Sequence, residues 1–387
     1  MTKLASARSQ FDLPDDVTYL NCAYMSPLSR RVAQAGRAGI DAKQRPWEVT
    51  PADFFVTADR GRAAFARLLG TPATADDLAI VPAASYGMAT AAANLPLRPT
   101  QRVLVLAEEF PSTILTWRTR AEQVGADLVT IPRPSDDDWT AAVLSAIDSR
   151  TAVAALPACH WIDGVRLDLA VIRSRLREVG AALVLDLTQS LGVMPFDLAA
   201  VDPDYLVAAC YKWLLGPYSI GLLYVAPRHQ NGTPLEHHWF GRAGSENFSA
   251  LLGYPEQFQP GARRFDMGEP ANFALIPPAV AAIEGILEWG VENLSETIGA
   301  FNAAILARAE SIGATAVAAR LRAPHYLSLR VPGSTPSLAE QLAAERVYVS
   351  VRGGGTLRIT PHLYNEPRDI ERLFAVLEPA MRRSGRP

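Results

Sequence analysis

The chain has 387 residues, 49% of them hydrophobic and 20% charged, with a formal net charge of −3. That length exceeds one small core, and the balanced charge excludes a protein built around a basic stripe for nucleic acid. No apolar run reaches the roughly eighteen residues of a membrane span, and residues 1–16 carry no signal-peptide pattern. The cysteines, Cys22, Cys159 and Cys210, stand apart without CxxC spacing. That argues against zinc or a disulfide framework and suits a reducing cytoplasm, with neither nucleic acid nor membrane as partner.

Residues 1–27 are expected to form an arm packed on a C-terminal domain. A large domain then spans 28–290. Within it, apolar runs at 78–82, 103–106, 128–131, 152–156, 182–186, 205–209 and 220–225 read as buried strands. Amphipathic stretches at 88–95, 111–124, 139–147 and 169–179 lie between several of them and read as helices. This alternation predicts an α/β fold: a mostly parallel seven-stranded sheet with helices on both faces. From Pro270 the texture changes. Helices are expected at 277–289 and 292–312, then strands at 326–331, 347–351 and 356–360, then a last helix at 367–381. Residues 291–387 are therefore read as a smaller α+β domain. Gly353, Gly354 and Gly355 precede a strand and lack dinucleotide-loop spacing, so they read as a tight turn. Arg382, Arg383 and Arg386 read as a solvated terminus, and the adjacent His237 and His238 point different ways, unlike a metal-binding pair.

In an open α/β sheet, ligands sit beyond the carboxyl ends of the strands. The run Ala-Leu-Val-Leu ends in Asp186, with Gln189 just beyond it. The run 205–211 ends at Lys212, 26 residues after Asp186. Either residue alone could belong to a buried salt bridge. Together, each ending an apolar strand, they match the needs of pyridoxal phosphate (PLP). That cofactor takes a lysine amine whose ammonium form is disfavoured, and a carboxylate on its pyridine nitrogen. Gln189 could donate to the ring oxygen. Ala84-Ser85-Tyr86-Gly87 lies between a strand and a helix, where backbone N–H groups and the Ser85 hydroxyl suit a phosphate; Ser85 could equally be a helix N-cap.

Asp186-Leu-Thr-Gln189 followed by Tyr211-Lys212-Trp213 resembles the fold-type I, class V aminotransferase family. Phe110-Pro-Ser and Cys210-Tyr-Lys-Trp resemble its kynureninase-like branch, beside the cysteine desulfurases and isopenicillin N epimerase-like enzymes. The likeness runs from Tyr19-Leu-Asn-Cys-Ala to Arg358-Ile-Thr-Pro-His-Leu-Tyr-Asn365. It implies a Lys212 Schiff base, Asp186 on the pyridine nitrogen, Phe110 stacked on the ring and Tyr211 on the phosphate. It also implies that Arg358 grips the substrate's α-carboxylate, as a guanidinium fork does well. A buried core aromatic and a surface arginine are the plainer readings of Tyr211 and Arg358. His160, Trp161 and Asp163 follow the fourth strand and are expected to face the cofactor, with a capping role as the alternative for Asp163.

Where relatives place Gly-Thr across a dimer, this chain has Gly268-Glu269-Pro-Ala-Asn272. Glu269 would repel a phosphate, so Asn272 or backbone N–H groups would serve instead. The resemblance thus implies a homodimer acting on an amino-acid-like small molecule through an external aldimine. The broad label is aminotransferase; a C–S or C–C lyase or hydrolase, or an epimerase, is the alternative. No cysteine follows Cys210, so the persulfide route of desulfurases lacks its loop cysteine. A nicotinamide dehydrogenase would need a glycine fingerprint after its first strand and would leave Lys212 unexplained. A silent binding module would not be expected to keep Lys212, Asp186, Gln189 and Arg358 together.

Overall fold

The computed structural model describes residues 3–331, 337–352 and 356–384. The expected turn at 353–355 and Arg386 lie outside the described residues. Strand β1 is the two-residue Thr18–Tyr19. The central sheet holds β2 (Leu78–Val81), β3 (Arg102–Leu106), β4 (Asp127–Ile131), β5 (Thr151–Pro157), β6 (Ala182–Asp186), β7 (Tyr205–Ala209) and β8 (Gly221–Val225). All seven apolar runs are strands. Their spatial order is β2-β8-β7-β6-β5-β3-β4, parallel throughout except for β8, which runs antiparallel to both its neighbours.

The strands are apolar on both faces because both faces are covered. On β3, Val103 and Val105 enter one apolar cluster, while Leu104 and Leu106 enter another. Val153 and Ala155 alternate with Ala154 and Leu156 on β5 in the same way. Each such valine or leucine gains about 1.5–3 kcal/mol from full burial, so a solvated face would forfeit the alternate half of every strand. Only β4, at the edge, carries exposed residues. The other edge, β2, is shielded by the segment that follows Gly261. Asp266 accepts from the Ile80 N–H at 2.7 Å and is ion-paired with buried Arg62, while the Met267 N–H donates to Ile80 O at 2.9 Å. That arrangement occupies the backbone groups that an open edge would offer to another chain.

Helices at Pro111–Val124, Trp139–Ala146 and Leu169–Glu178 lie where expected. Helix Ala84–Asn94 begins four residues earlier than expected. Its sequence carries no N-cap side chain to mark the start; Ala83 holds that position. Two further helices, Arg30–Lys43 and Pro51–Leu69, pack against helix Ile276–Trp289 and were not foreseen.

Beyond helix Val291–Glu310 the chain forms β9 (Thr315–Ala316), β10 (Leu327–Arg330), β11 (Val347–Tyr348), β12 (Ser350–Arg352) and β13 (Thr356–Ile359). Four of these make an antiparallel sheet in the order β12-β13-β10-β9, with its own apolar cluster. The fifth, β11, pairs in parallel with β1. No helix among the described residues is long and apolar enough to cross a membrane.

Candidate active site

A cavity of about 450 Å³ opens at the carboxyl ends of β2, β3, β5, β6 and β7. Chain order reverses here: β3 leads outward to β4, and β5 returns to the other side of β3. Such a switch point leaves a crevice between strand ends. Ser85, Phe110, Trp161, Asp186, Gln189, Tyr211 and Lys212 line it.

Lys212 sits in a tight loop after β7. Cys210 N–H donates to Ile220 O at 2.9 Å, Gly216 N–H to Cys210 O at 2.9 Å, and Leu215 N–H to Lys212 O at 3.0 Å. A Cβ on Gly216 would come within 2.9 Å of Cys210 Cβ, so the turn needs glycine. Trp213 anchors the loop, its indole N–H donating to Gln189 Oε1 at 3.0 Å. Lys212 Nζ then lies 5.3 Å from the Phe110 ring centre and 5.4 Å from that of Tyr211. Burial pushes its pKa down to about 8, partly offset by Asp186, while Arg358 and Arg352 add to the lowering.

Asp186 ends β6. Its Oδ1 accepts from the Thr188 N–H at 2.9 Å. Burial raises its pKa, opposed by the Thr188 hydrogen bonds and the charge of Lys212. Asp186 and Lys212 share the cavity wall without forming an ion pair. A planar group can therefore stand between them, which a mutual salt bridge would prevent.

At the other end, Pro82, Ala83, Ala84 and Ser85 bring the start of helix Ala84–Asn94 to the cavity. Ser85 is inside the first turn, not the N-cap, so its exposed hydroxyl and the early N–H groups are available to an anion. Gly87 permits this approach: a Cβ there would meet Val207 Cγ2 at 2.7 Å. These donors, the separated acid and lysine, and the Phe110 ring fit PLP.

Five of the expected residues, His160, Asp163, Tyr86, Asn272 and Arg358, do not line the cavity. His160 is buried behind it, stacked on Trp139 at 5.4 Å, with Nε2 3.2 Å from Ala107 O. Asp163 is ion-paired with Arg133 and accepts from the Val165 N–H at 3.0 Å. Trp161 takes the place expected of these two; its indole N–H donates to Glu108 O at 2.6 Å and its ring meets Phe110 edge-on at 5.6 Å. The Tyr86 side chain packs against the apolar cluster beneath its helix. Asn272 caps the following turn, accepting from the N–H groups of Ala274 and Leu275 at 3.1 and 3.0 Å. Glu269 is exposed. Gln189 reaches the wall, but its amide already donates to Ala23 O at 3.2 Å and accepts from Trp213.

Arg358, on β13, is not a surface arginine. It is 1% exposed, with Nη1 donating to Trp161 O at 3.1 Å, Nη2 to Ser350 Oγ at 3.3 Å, and Nε without a partner. No carboxylate among the described residues pairs with it. Sequence reasoning missed Glu109, a cavity residue whose Oε2 is buried and unpartnered. The rule that found Asp186 could have found it, since Glu109 closely follows the apolar run of β3.

Residues 51–373 match the family Aminotransferase class-V. An uncharacterized aminotransferase of Bacillus subtilis, YcbU, is 26% identical over 321 residues, covering 79% of each chain. A kynureninase of Deinococcus radiodurans is 31% identical over 291 residues, covering 70% of this chain and 66% of that one. Among solved structures, a mutant of C-DES with glycine linked to its PLP cofactor superposes with a TM-score of 0.86 at 19% identity, covering 96% of this chain and 98% of that one. The cysteine desulfurase CsdA of Escherichia coli gives 0.81 at 19% identity, covering 97% of each. With its mixed seven-stranded sheet and a lysine and an aspartate at neighbouring strand ends, the chain belongs to the aminotransferase class-V family of PLP-dependent enzymes.

Proposed function

We propose that the protein acts on the Cα of an amino acid, with Lys212 as the covalent anchor of PLP and Asp186 as the partner of its pyridine nitrogen. The observation that carries this reading is the placement of Lys212 and Asp186 on one cavity wall, unpaired with each other. PLP supplies an electron sink for a bond broken at the substrate's Cα. The Lys212 amine, with a pKa of about 8, can shed and take up a proton near neutral pH. Asp186 holds a proton on the pyridine nitrogen. Phe110 and Trp161 cover the ring side and exclude water; Ser85, Tyr211 and the helix N–H groups bind phosphate. Arg358, a buried cation without an acid partner, takes the α-carboxylate.

The broad reaction is amino-group transfer, with lyase or hydrolase chemistry as the second reading. Persulfide formation by a cysteine is disfavoured, because all three thiols are buried and burial raises their pKa values. The active form is a homodimer in the cytoplasm. Trp239 and Phe248 are half-exposed and pack edge-on at 5.4 Å, and Phe54 bridges Phe248 to Phe273, next to Asn272. This aromatic patch beside 268–272 is the face where a second copy would place Asn272 in its neighbour's phosphate site. We divide the chain into an arm at 1–27, a large domain at 28–290 and a small domain at 291–387; the β1–β11 pairing supports the attachment of the arm.

Borohydride reduction of the holoenzyme should fix the pyridoxyl group on the peptide that contains Lys212, located by mass spectrometry. Labelling of another peptide would refute the assignment. Lys212→Ala should take no label and lose turnover.

A further inference from the structure

A second cation stands beside Arg358. Strand β12 pairs antiparallel with β13, with Ser350 opposite Arg358 and Arg352 opposite Thr356. Side chains two apart on a strand share a face, and so do directly paired residues. Arg352 and Arg358 therefore project from the same face of the small sheet. Trp161 joins both to the cavity: its carbonyl accepts from Arg358, and its ring centre lies 6.0 Å from the Arg352 guanidinium.

Neither arginine is neutralised. Arg352 is half-buried; its Nη1 donates to the Val351 carbonyl at 3.0 Å, and its buried Nε has no partner. No carboxylate among the described residues forms an ion pair with either guanidinium. The nearest charges make matters worse. Burial and then the charge of Arg358 lower the Arg352 pKa, only partly offset by Tyr326 and Tyr24. Both arginines also disfavour the ammonium form of Lys212. Cations gathered in a partly dry site without acids cost free energy, unless a ligand brings the missing anions. An α-carboxylate supplies one of them. One carboxylate leaves the second guanidinium unmatched.

We propose that the substrate is an amino acid whose side chain carries a second acidic group, held by Arg352 while Arg358 holds the α-carboxylate. This rests on the reading of Arg358 given above and extends it to the substrate's class. A planar fork on the distal acid gives the site a preference for a diacid over its uncharged isostere, beyond what a single α-carboxylate contact provides.

The test is equilibrium binding to the holoenzyme, read by calorimetry and by the cofactor's absorbance. The probes are L-aspartate against L-asparagine and L-glutamate against L-glutamine, pairs nearly equal in shape. At least one acid should bind about tenfold or more tighter than its amide, the scale of one charge-assisted hydrogen bond. That ratio should collapse to about one in Arg352→Gln and keep an intermediate value in Arg352→Lys. Arg358→Gln should weaken acid and amide together. Equal affinities for both members of both pairs, or a ratio that survives Arg352→Gln, would overturn the diacid inference. If Arg358→Gln still weakened every amino acid, the α-carboxylate reading would stand without it. An enzyme that binds no amino acid at all would end both.

Discussion

Glu109 offers a measure of how dry the cavity is. Burial raises its carboxyl pKa from 4.5 to about 8; the Phe110 N–H opposes the rise, and the charges of Asp186 and Asp163 add to it. An acid with a raised folded pKa gives its full stability below the unfolded value and loses it as pH climbs through the folded one. The loss therefore falls between about pH 4.5 and 8. At about 1.36 kcal/mol per pH unit, the whole interval costs the apoprotein about 5 kcal/mol, and about 3 kcal/mol of that is gone by pH 7. This is a large share of the ~5–15 kcal/mol that holds a typical protein folded. Glu109→Gln keeps the shape and has no proton to lose. Urea unfolding of both apoproteins, from about pH 5 to about pH 8.5, should find the variant gaining on the wild type by about 3–5 kcal/mol. A difference that stays flat with pH would mean that Glu109 is ionised and solvated throughout, and the argument for a water-poor cavity would fail.

Two other perturbations probe the proposed site. Asp186→Ala should lower turnover by at least about 10²-fold while retaining some bound cofactor, because an aligned charge is lost but the Lys212 anchor is not. Near-normal turnover would remove Asp186 from its role. Sedimentation at micromolar concentration should find an active dimer, and a charged residue at Trp239 or Phe248 should shift it toward monomer. A fully active wild-type monomer would contradict the placement of Asn272 across an interface.

Much of the large domain was legible in the sequence because burial on both faces writes itself into each strand. A strand covered on both sides must be apolar at every position, so runs such as 205–209 stand out without any partner in view. The same logic exposed Asp186 and Lys212, since a polar residue ending such a run marks the rim where ligands bind. Helix Pro111–Val124, read from its amphipathic stretch, has proline in its first turn and Gly125 at its end. Helix Ala84–Asn94 began early and unannounced, because Ala83 at its N-cap offers no capping side chain.

What the sequence could not reveal was direction. His160, Trp161 and Asp163 are within four residues, yet only the Trp161 side chain faces the cavity, because Trp139 and Arg133 hold the other two from behind. The antiparallel course of β8 was equally silent, since an apolar run reads the same in either direction. The resemblance singled out Arg358 for a carboxylate, but Arg352 looked like an ordinary basic residue on a short strand. Only the pairing of β12 with β13, and the approach of Trp161 from β5's loop, turned them into neighbouring cations without acids. Composition and periodicity determine which residues must be buried and where strands end. Which side chains converge, and which charges go unmatched, depends on contacts between segments far apart in the chain, and those exist only once the sheets have packed.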